Sequence, residues 1–357
     1  MVIKSVHLLD FRNYLDFNLQ FNSGINLFYG LNGQGKTNLI ESLFFLTHLR
    51  SFKTPHFKTI RRFGTDSAHL QAEIIKKEIY HQIQIDLFEN KKKVLLDKKN
   101  LTLSSHFIRE YYSILFAPDR AMQFQEYPSD RRSFFDRVLV VIDPGYFYAI
   151  QEYNRIKKQK NKLLKTSRYN EIEIWNRLLG NIIPTIVSAR KKLAEHLENF
   201  LSELYPSITG WVKKLSLHYS NDLDGKIEIS PEKISNFLNE KIPTECSMGY
   251  MHFGPHRDLY RFTLDNVSDE NFSRGEYRLA FLSLLLAVNL YVIETMKFYP
   301  ILLFDDLFSE MDNVIIEKVI NFVSGIKNQV FISTTSLPKN LNKKSECFQI
   351  DRGNLVA

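Results

Sequence analysis

The sequence predicts an α/β chain: a head built on a buried sheet, opened by an inserted, mainly helical second lobe. Three observations predict it. Short apolar runs at 25–29, 301–304 and 330–332 read as buried strands, and they lie near the two ends of the chain. Residues 30–37 fit G-x-x-x-x-G-K-[ST], directly after the first of those strands and before a helical pattern. Between about 130 and 205 the apolar spacing changes from two to three-and-four.

Composition sets the outer limits. A chain of 357 residues holds one large or two ordinary domains, and 44% hydrophobic residues suffice for a core. No apolar run is expected to be long enough to span a membrane, and Met1-Val-Ile-Lys-Ser does not read as a signal peptide. Cys246 and Cys347 lie in no motif, which fits a reducing, cytoplasmic setting and argues against a disulfide framework or a zinc site. The net charge of +7 points mildly to a polyanionic partner.

Residues 2–29 alternate with the period of strands. They are interrupted by the turn Phe11-Arg12-Asn13-Tyr14, where Arg12 is either a solvated turn residue or a nucleotide contact. In the loop that follows, Gly30, Gly33 and Gly35 let the backbone curl, so that successive N–H groups point at an anion. Asn32 and Asn38 flank the loop's centre and end. The next helix shows Leu39, Ile40, Leu43 and Phe44 on one face, and its positive end adds to the anion site. Lys36 reaches the β- and γ-phosphates of ATP, and the Thr37 hydroxyl is a Mg²⁺ ligand.

Strands are expected again at 69–75, 79–88, 94–96 and 113–116. Lys91, Lys92 and Lys93 fall at a hairpin tip, as a solvated run or as phosphate contacts. Arg50, Lys53, Lys58, Arg61 and Arg62 add positive charge just after the phosphate-loop helix. The helical lobe is expected over 129–250, between the head's N-terminal part (1–128) and C-terminal part (251–357). Its first helix would be capped by Ser129 or Asp130, and its second would start at Tyr146. That second helix carries Arg155, Lys157, Lys158 and Lys160, candidate DNA-backbone contacts. A third helix is expected over about 184–204, completing an antiparallel arm, with strands returning near 215–219 and 226–229.

The C-terminal third carries the remaining chemistry. Four apolar residues ending in Asp305 form a Walker B strand, with Asp305 at the Mg²⁺ beside Thr37. Asp306 orients or deprotonates the attacking water; an aspartate, one methylene shorter than glutamate, predicts slow hydrolysis, below about 1 s⁻¹. Ser273, Gly275 and Glu276 precede a helix and fit the signature of ABC-type ATPases, which caps the γ-phosphate held by a second subunit. Glu310 and Asp312 follow the Walker B strand as a D-loop at the dimer seam. No histidine follows the last strand, so the hydroxyl of Ser333, Thr334 or Thr335 would stand in the switch position, with Thr334 the choice among them. The predicted head is therefore an ABC-type P-loop ATPase, and the missing histidine argues against a transporter subunit.

The full chain resembles the RecF family of bacterial recombination mediators, in the SMC/ABC class. The shared pieces are Phe11-Arg12-Asn13-Tyr14, the phosphate loop through Glu41, Phe116-Ala117-Pro118-Asp119, Pro128 with Arg131, Arg132 and Asp136, Gly254-Pro255-His256-Arg257-Asp258, and the two acidic motifs after Leu303. The resemblance implies a two-lobed claw and an ATP-dependent homodimer. It implies binding to single- and double-stranded DNA and to gap junctions without base readout, and slow, DNA-stimulated hydrolysis. It also implies partners like RecO and RecR in recombinase loading, and a link to the SOS response. Glu276 stands where glutamine is common. His256 and Arg257 read as structural or nucleotide-proximal rather than catalytic. The competing reading is a nucleotide-sensing scaffold with a non-DNA partner.

Overall fold

The computed structural model describes every residue except Asn90, Leu103, 167–168, Glu310, 339–344 and Ala357. The chain divides into two compact units, 1–122 with 204–212 and 273–357, and 123–203 with 213–272.

The first unit begins with β1 (Val2–Phe11), β2 (Tyr14–Gln20), β3 (Ile25–Tyr29), α1 (Lys36–His48) and the short α2 (Phe57–Ile60). Next come β4 (Ala68–Lys76), β5 (Ile79–Leu87), β6 (Lys92–Leu96), β7 (Lys99–Asn100), α3 (Ser104–Glu110), β8 (Ser113–Phe116) and α4 (Pro118–Glu126). The second unit holds α5 (Pro128–Ile142), α6 (Pro144–Leu164), most of α7 (Tyr169–Thr209), β9 (Leu215–Ser220), α8 (Pro231–Glu240), α9 (Ile242–Met248), β10 (Leu259–Leu264) and β11 (Val267–Ser268). The first unit resumes with α10 (Arg274–Met296), β12 (Ile301–Phe304), α11 (Asn313–Gly325), β13 (Val330–Thr334), β14 (Glu346–Asp351) and β15 (Asn354–Val356).

Two six-stranded sheets make the first unit. One is antiparallel, in the order β2-β1-β4-β5-β6-β7; the other runs β15-β14-β3-β13-β12-β8 and is parallel except for the β14–β15 hairpin. α1 lies against strands of both, which explains why it is apolar nearly all round. Leu39, Ile40, Leu43, Phe45 and Leu46 are fully buried, each worth about 1.5–3 kcal/mol in apolar burial. One charge sits among them, Glu41, with 0% exposure.

α10 corrects an expectation. It spans 23 residues and is long and apolar enough to cross a membrane by length and composition, yet 67% of its most apolar window is buried inside the fold. It packs on β8 as a core helix.

The second unit differs from the sequence reading at four points. α5 starts at Pro128, with Tyr127 at the N-cap, rather than being capped by Ser129 or Asp130; a proline fits the first helical position because its missing N–H has no partner to lose there. α6 starts at Pro144, two residues before Tyr146, with the Asp143 carboxylate accepting from Gly145 N–H as the cap. α7 runs through Pro184 instead of starting there. The apolar stripe Ile172, Leu179, Ile183, Ile186, Leu193, Leu197 is buried on both sides of the proline and outweighs one lost hydrogen bond. No strand forms at 226–229, where Asn221, Asp224 and Gly225 (φ 72°) instead build turns.

The unit also extends to 272 rather than 250, because β9 pairs with β10 in a three-stranded antiparallel sheet. α6 and α7 run antiparallel: Tyr146 meets Arg190, and Arg155 meets the Trp175 ring.

Candidate nucleotide site

The phosphate loop is built from three directions. β3 delivers it from the middle of the parallel sheet, between β14 and β13. Gly30, Gly33 and Gly35 take φ of 147°, 80° and 116°, a region that side chains resist. Space enforces the same choice: a Cβ at Gly30 would lie 2.4 Å from the Ile350 carbonyl oxygen, and one at Gly35 2.5 Å from the Asn13 amide. The Arg12 turn braces the loop from one side. Asn13 donates to Gln34 O (3.1 Å) and accepts from the Asn38 amide (2.8 Å), while the Tyr14 hydroxyl donates to Gly35 O (3.1 Å). From the other side the β14–β15 turn donates Arg352 N–H and Gly353 N–H to Gln34. Asn32 and Gly33 stand exposed at the loop's crest.

Arg12 is not a solvated turn residue. Its guanidinium forms a fork on buried Glu41, at 2.9 and 2.7 Å, and also donates to Thr59 O. The buried charge on α1 is thereby paired, and Arg12 fixes the turn that fixes the loop. Ser51 also bonds to Glu41.

Lys36 folds back onto its own loop, donating to Gly30 O (2.7 Å) and Leu31 O (2.8 Å). Burial lowers its pKa, and the nearby carboxylates of Asp306 and Asp305 oppose that shift. Asp305 directly follows β12, and its N–H donates to Phe116 O of the neighbouring β8 (2.9 Å). Burial raises its carboxyl pKa; hydroxyl donors from Ser333 and Thr37, and the charge of Lys53, counter this. Asp306 adopts φ 48°, and its N–H donates to Ser333 Oγ (2.9 Å), which itself donates to Asp305 (2.6 Å). Such a left-handed aspartate costs about 1–3 kcal/mol and persists where the site over-determines it.

Thr37 and Asp305 supply a hydroxyl and a carboxylate, hard oxygen donors that fit Mg²⁺. Among the described residues no cluster of three or more His, Cys, Asp or Glu forms a metal cage. Two protein ligands fit a cation that takes its other ligands from phosphate and water.

The switch position is corrected. Thr334 is 3% exposed and its hydroxyl bonds to Ser336 O (3.0 Å), closing a local turn. Ser333 carries the Walker B contacts, and Thr335 is the exposed hydroxyl of the three. Strand alternation sends neighbouring residues to opposite faces, so the choice depended on register.

The family model of the RecF/RecN/SMC N-terminal domain matches residues 2–353. The DNA replication and repair protein RecF of Lactobacillus johnsonii is 30% identical, over 99% of this chain and 99% of its own. The chain belongs to the RecF family. RecF of Natranaerobius thermophilus is also 30% identical, over 100% of this chain and 98% of its own. The solved structure of the recombination mediator protein RecF with ATP, of the RecFOR pathway, superposes with a TM-score of 0.87 at 26% identity, covering 99% of this chain and 97% of that one. An Smc head bound to the winged-helix domain of ScpA shares the fold alone, with a TM-score of 0.61 at 15% identity.

The remaining site residues of this RecF-family chain lie as follows. Ser273 is the N-cap of α10 and forms a reciprocal capping box with Glu276; Gly275 lies in the same first turn, with open space around its Cα. Asp312 is exposed and caps α11 by accepting from Ile315 N–H (2.8 Å). Glu310 lies outside the described residues. Arg278 donates to Ser309 O (2.9 Å), tying α10 to the segment after the Walker B strand.

The DNA candidates divide. Lys160 is corrected: it is fully buried, with its ammonium 2.6 Å from Glu245, also 0% exposed. Three-and-four spacing turns Lys160 toward the same side as buried Tyr153, Ile156 and Leu164. Arg155 pairs with Glu152 and lies over Trp175, and Lys157 lies half-buried over Tyr153. Lys92 and Lys93 belong to β6 rather than a tip, and Lys92 donates to Leu49 O. Lys91, Lys93 and Lys158 are exposed.

Within the string at 254–258, Pro255, His256 and Asp258 are tied into the second unit, while Arg257 is exposed. Arg190, 2% exposed, holds both Asp136 oxygens at 3.0 Å, Asp258 at 2.7 Å and Pro255 O at 2.6 Å. His256 accepts from the Tyr153 hydroxyl (2.7 Å), and its other nitrogen meets Met251 O (3.1 Å). Burial first, then nearby Lys157, pushes its pKa down to about 4, so it is a neutral packing residue.

Sequence reasoning named Asn13 and Lys53 but gave neither of them, nor Gln34, a task in the site. Lys53 donates to Asn38 (3.0 Å) and feels Glu41 and Asp305, a second cation beside Lys36. One signal was readable: a lone Glu41 on an apolar helix demands a cationic partner nearby.

Proposed function

We propose that this chain is an ATP-dependent DNA-binding protein of recombinational repair and replication-fork restart. It binds ATP on residues 30–38 and joins a second copy across the bound nucleotides, on DNA at junctions of single and double strand. Slow hydrolysis releases it, and partners of the RecO and RecR kind act with it in loading recombinase. The observation that carries this reading is the convergence of Lys36, Thr37, Asp305 and Ser333 at the ends of adjacent parallel strands.

Each residue has a task there. The loop's N–H groups and the α1 terminus receive the phosphates. Lys36 exchanges the carbonyls of Gly30 and Leu31 for phosphate oxygens. Lys53 supplies a second positive charge. Thr37 and Asp305 would hold Mg²⁺, which supplies neutralisation of the charge developing on the phosphates. Asp306, fixed at its N–H by Ser333, orients the attacking water or takes its proton. Across the seam, Ser273, Gly275 and the α10 terminus would meet the other copy's γ-phosphate, flanked by Asp312. On the second unit, exposed Lys158 and the outer charge of Arg155 would meet the DNA backbone, joined by Lys91 and Lys93 on the first.

The test is fluorescence anisotropy of a labelled gapped duplex, titrated at fixed salt with and without Mg-ATP. Tighter binding with Mg-ATP, lost in Lys36→Ala, supports the reading. Equal or absent binding in both conditions would favour the nucleotide-sensing scaffold.

A further inference from the structure

We propose that Glu276 is a built-in occupant of the signature donors, so that two copies close across ATP only after its carboxylate leaves Ser273. The proposal rests on the ATP-sandwich reading above and adds to it the residue that sets how readily the sandwich forms.

The geometry is specific. One Glu276 oxygen accepts from both the Ser273 N–H (3.1 Å) and the Ser273 hydroxyl (3.0 Å). The Ser273 hydroxyl in turn accepts from Glu276 N–H (3.2 Å). These are the donors that an incoming γ-phosphate would use, at the positive end of a 23-residue helix. An anion from the same chain already sits on them. The same first two turns also carry Arg278, which holds Ser309 O of the segment before Asp312. The start of α10 is therefore tied by a hydrogen bond to the segment after the Walker B strand.

Two costs follow for a phosphate arriving from another copy. It must break the reciprocal box, and it must approach a carboxylate of like charge. Glutamine at this position keeps the box, because its amide oxygen accepts the same two bonds, but removes the charge. One charge at a helix terminus changes an equilibrium by about 2- to 5-fold. A two-fold sandwich uses the position twice, so the two effects multiply to about 4- to 25-fold in the dimer constant.

The experiment is sedimentation equilibrium of the full chain with Mg²⁺ and a slowly hydrolysed ATP analogue, comparing wild type, E276Q and E276A. A matched set without nucleotide and a thermal melt of each variant accompany it. The expected result is a dimer of E276Q tighter by about 4- to 25-fold with the analogue and unchanged without it. The gap should narrow as salt rises from 50 to 500 mM, as a screened charge effect does. E276A, which loses both the charge and the box, should also dimerise more tightly with the analogue despite a lower melting temperature. A purely structural cap would move the melt and leave the nucleotide-dependent gap at zero. If wild type pairs with the analogue and E276Q pairs equally or more weakly, the proposal is overturned. If wild type binds the analogue and stays monomeric up to 100 μM, the sandwich reading itself falls and takes this proposal with it.

Discussion

Ser333→Ala removes the hydroxyl that joins the two Walker B aspartates. In the wild type it donates to Asp305 at 2.6 Å and accepts from Asp306 N–H at 2.9 Å, and it is 1% exposed. A hydrogen bond to a charged group is worth about 1.5–3 kcal/mol, so the Mg²⁺-dependent part of ATP binding should weaken about 10- to 150-fold. The sign of the pH effect also follows. Burial already raises the Asp305 pKa, and the Ser333 bond holds it down. Without Ser333 the carboxyl protonates at higher pH, and Mg²⁺ binds the deprotonated form. The acid limb of Mg-ATP affinity should therefore move to higher pH in the variant. The assay is stopped-flow binding of a fluorescent ATP analogue with and without Mg²⁺ between pH 5 and 8, alongside kcat/KM for hydrolysis. Thr334→Ala is the control, since that hydroxyl closes a local turn. A Ser333→Ala affinity within about twofold of wild type, or a larger effect from Thr334→Ala, would refute the reasoning.

Lys160→Met should strand Glu245 in the second unit and cost about 3–5 kcal/mol in urea unfolding, while the salt slope of DNA binding stays at its wild-type value. Lys158→Ala should instead leave stability within about 0.5 kcal/mol and lower that salt slope by about one. Lys53→Gln should raise KM for ATP about tenfold with the fold intact by circular dichroism, the size of one hydrogen bond to a charged group. Gly35→Ala should abolish ATP binding in isothermal titration calorimetry, because the new Cβ would lie 2.5 Å from Asn13 at a backbone φ of 116°.

Much of the nucleotide site was legible because its chemistry is local. Gly30, Gly33, Gly35, Lys36 and Thr37 lie within one strand–loop–helix, and Asp305 and Asp306 directly follow one strand. The partner of each charge was not legible. Arg12 meets Glu41 from a neighbouring hairpin, Lys160 meets Glu245 from another helix, and Arg190 on α7 gathers Asp136 and Asp258 from two other parts of the second unit. Three-and-four spacing tells which side of α6 is buried only once the apolar positions are ranked above a dense run of lysines. Lys160 is the residue where that ranking mattered.

The sequence by itself determined the α/β class, the phosphate loop, the Walker B pair and the helical insert, because strand periodicity and turn chemistry act between near neighbours. Tertiary structure alone decided that Ser333 rather than Thr334 reaches Asp305, and that Asn13 and the turn after β14 brace the loop. The physical reason is the sheet order. In β14-β3-β13-β12-β8 the adjacent strands are separated in sequence by at least a helix, and β3 from near the start of the chain lies between β14 and β13 from near its end, so their register, and with it each side chain's face, is set by packing across the sheet.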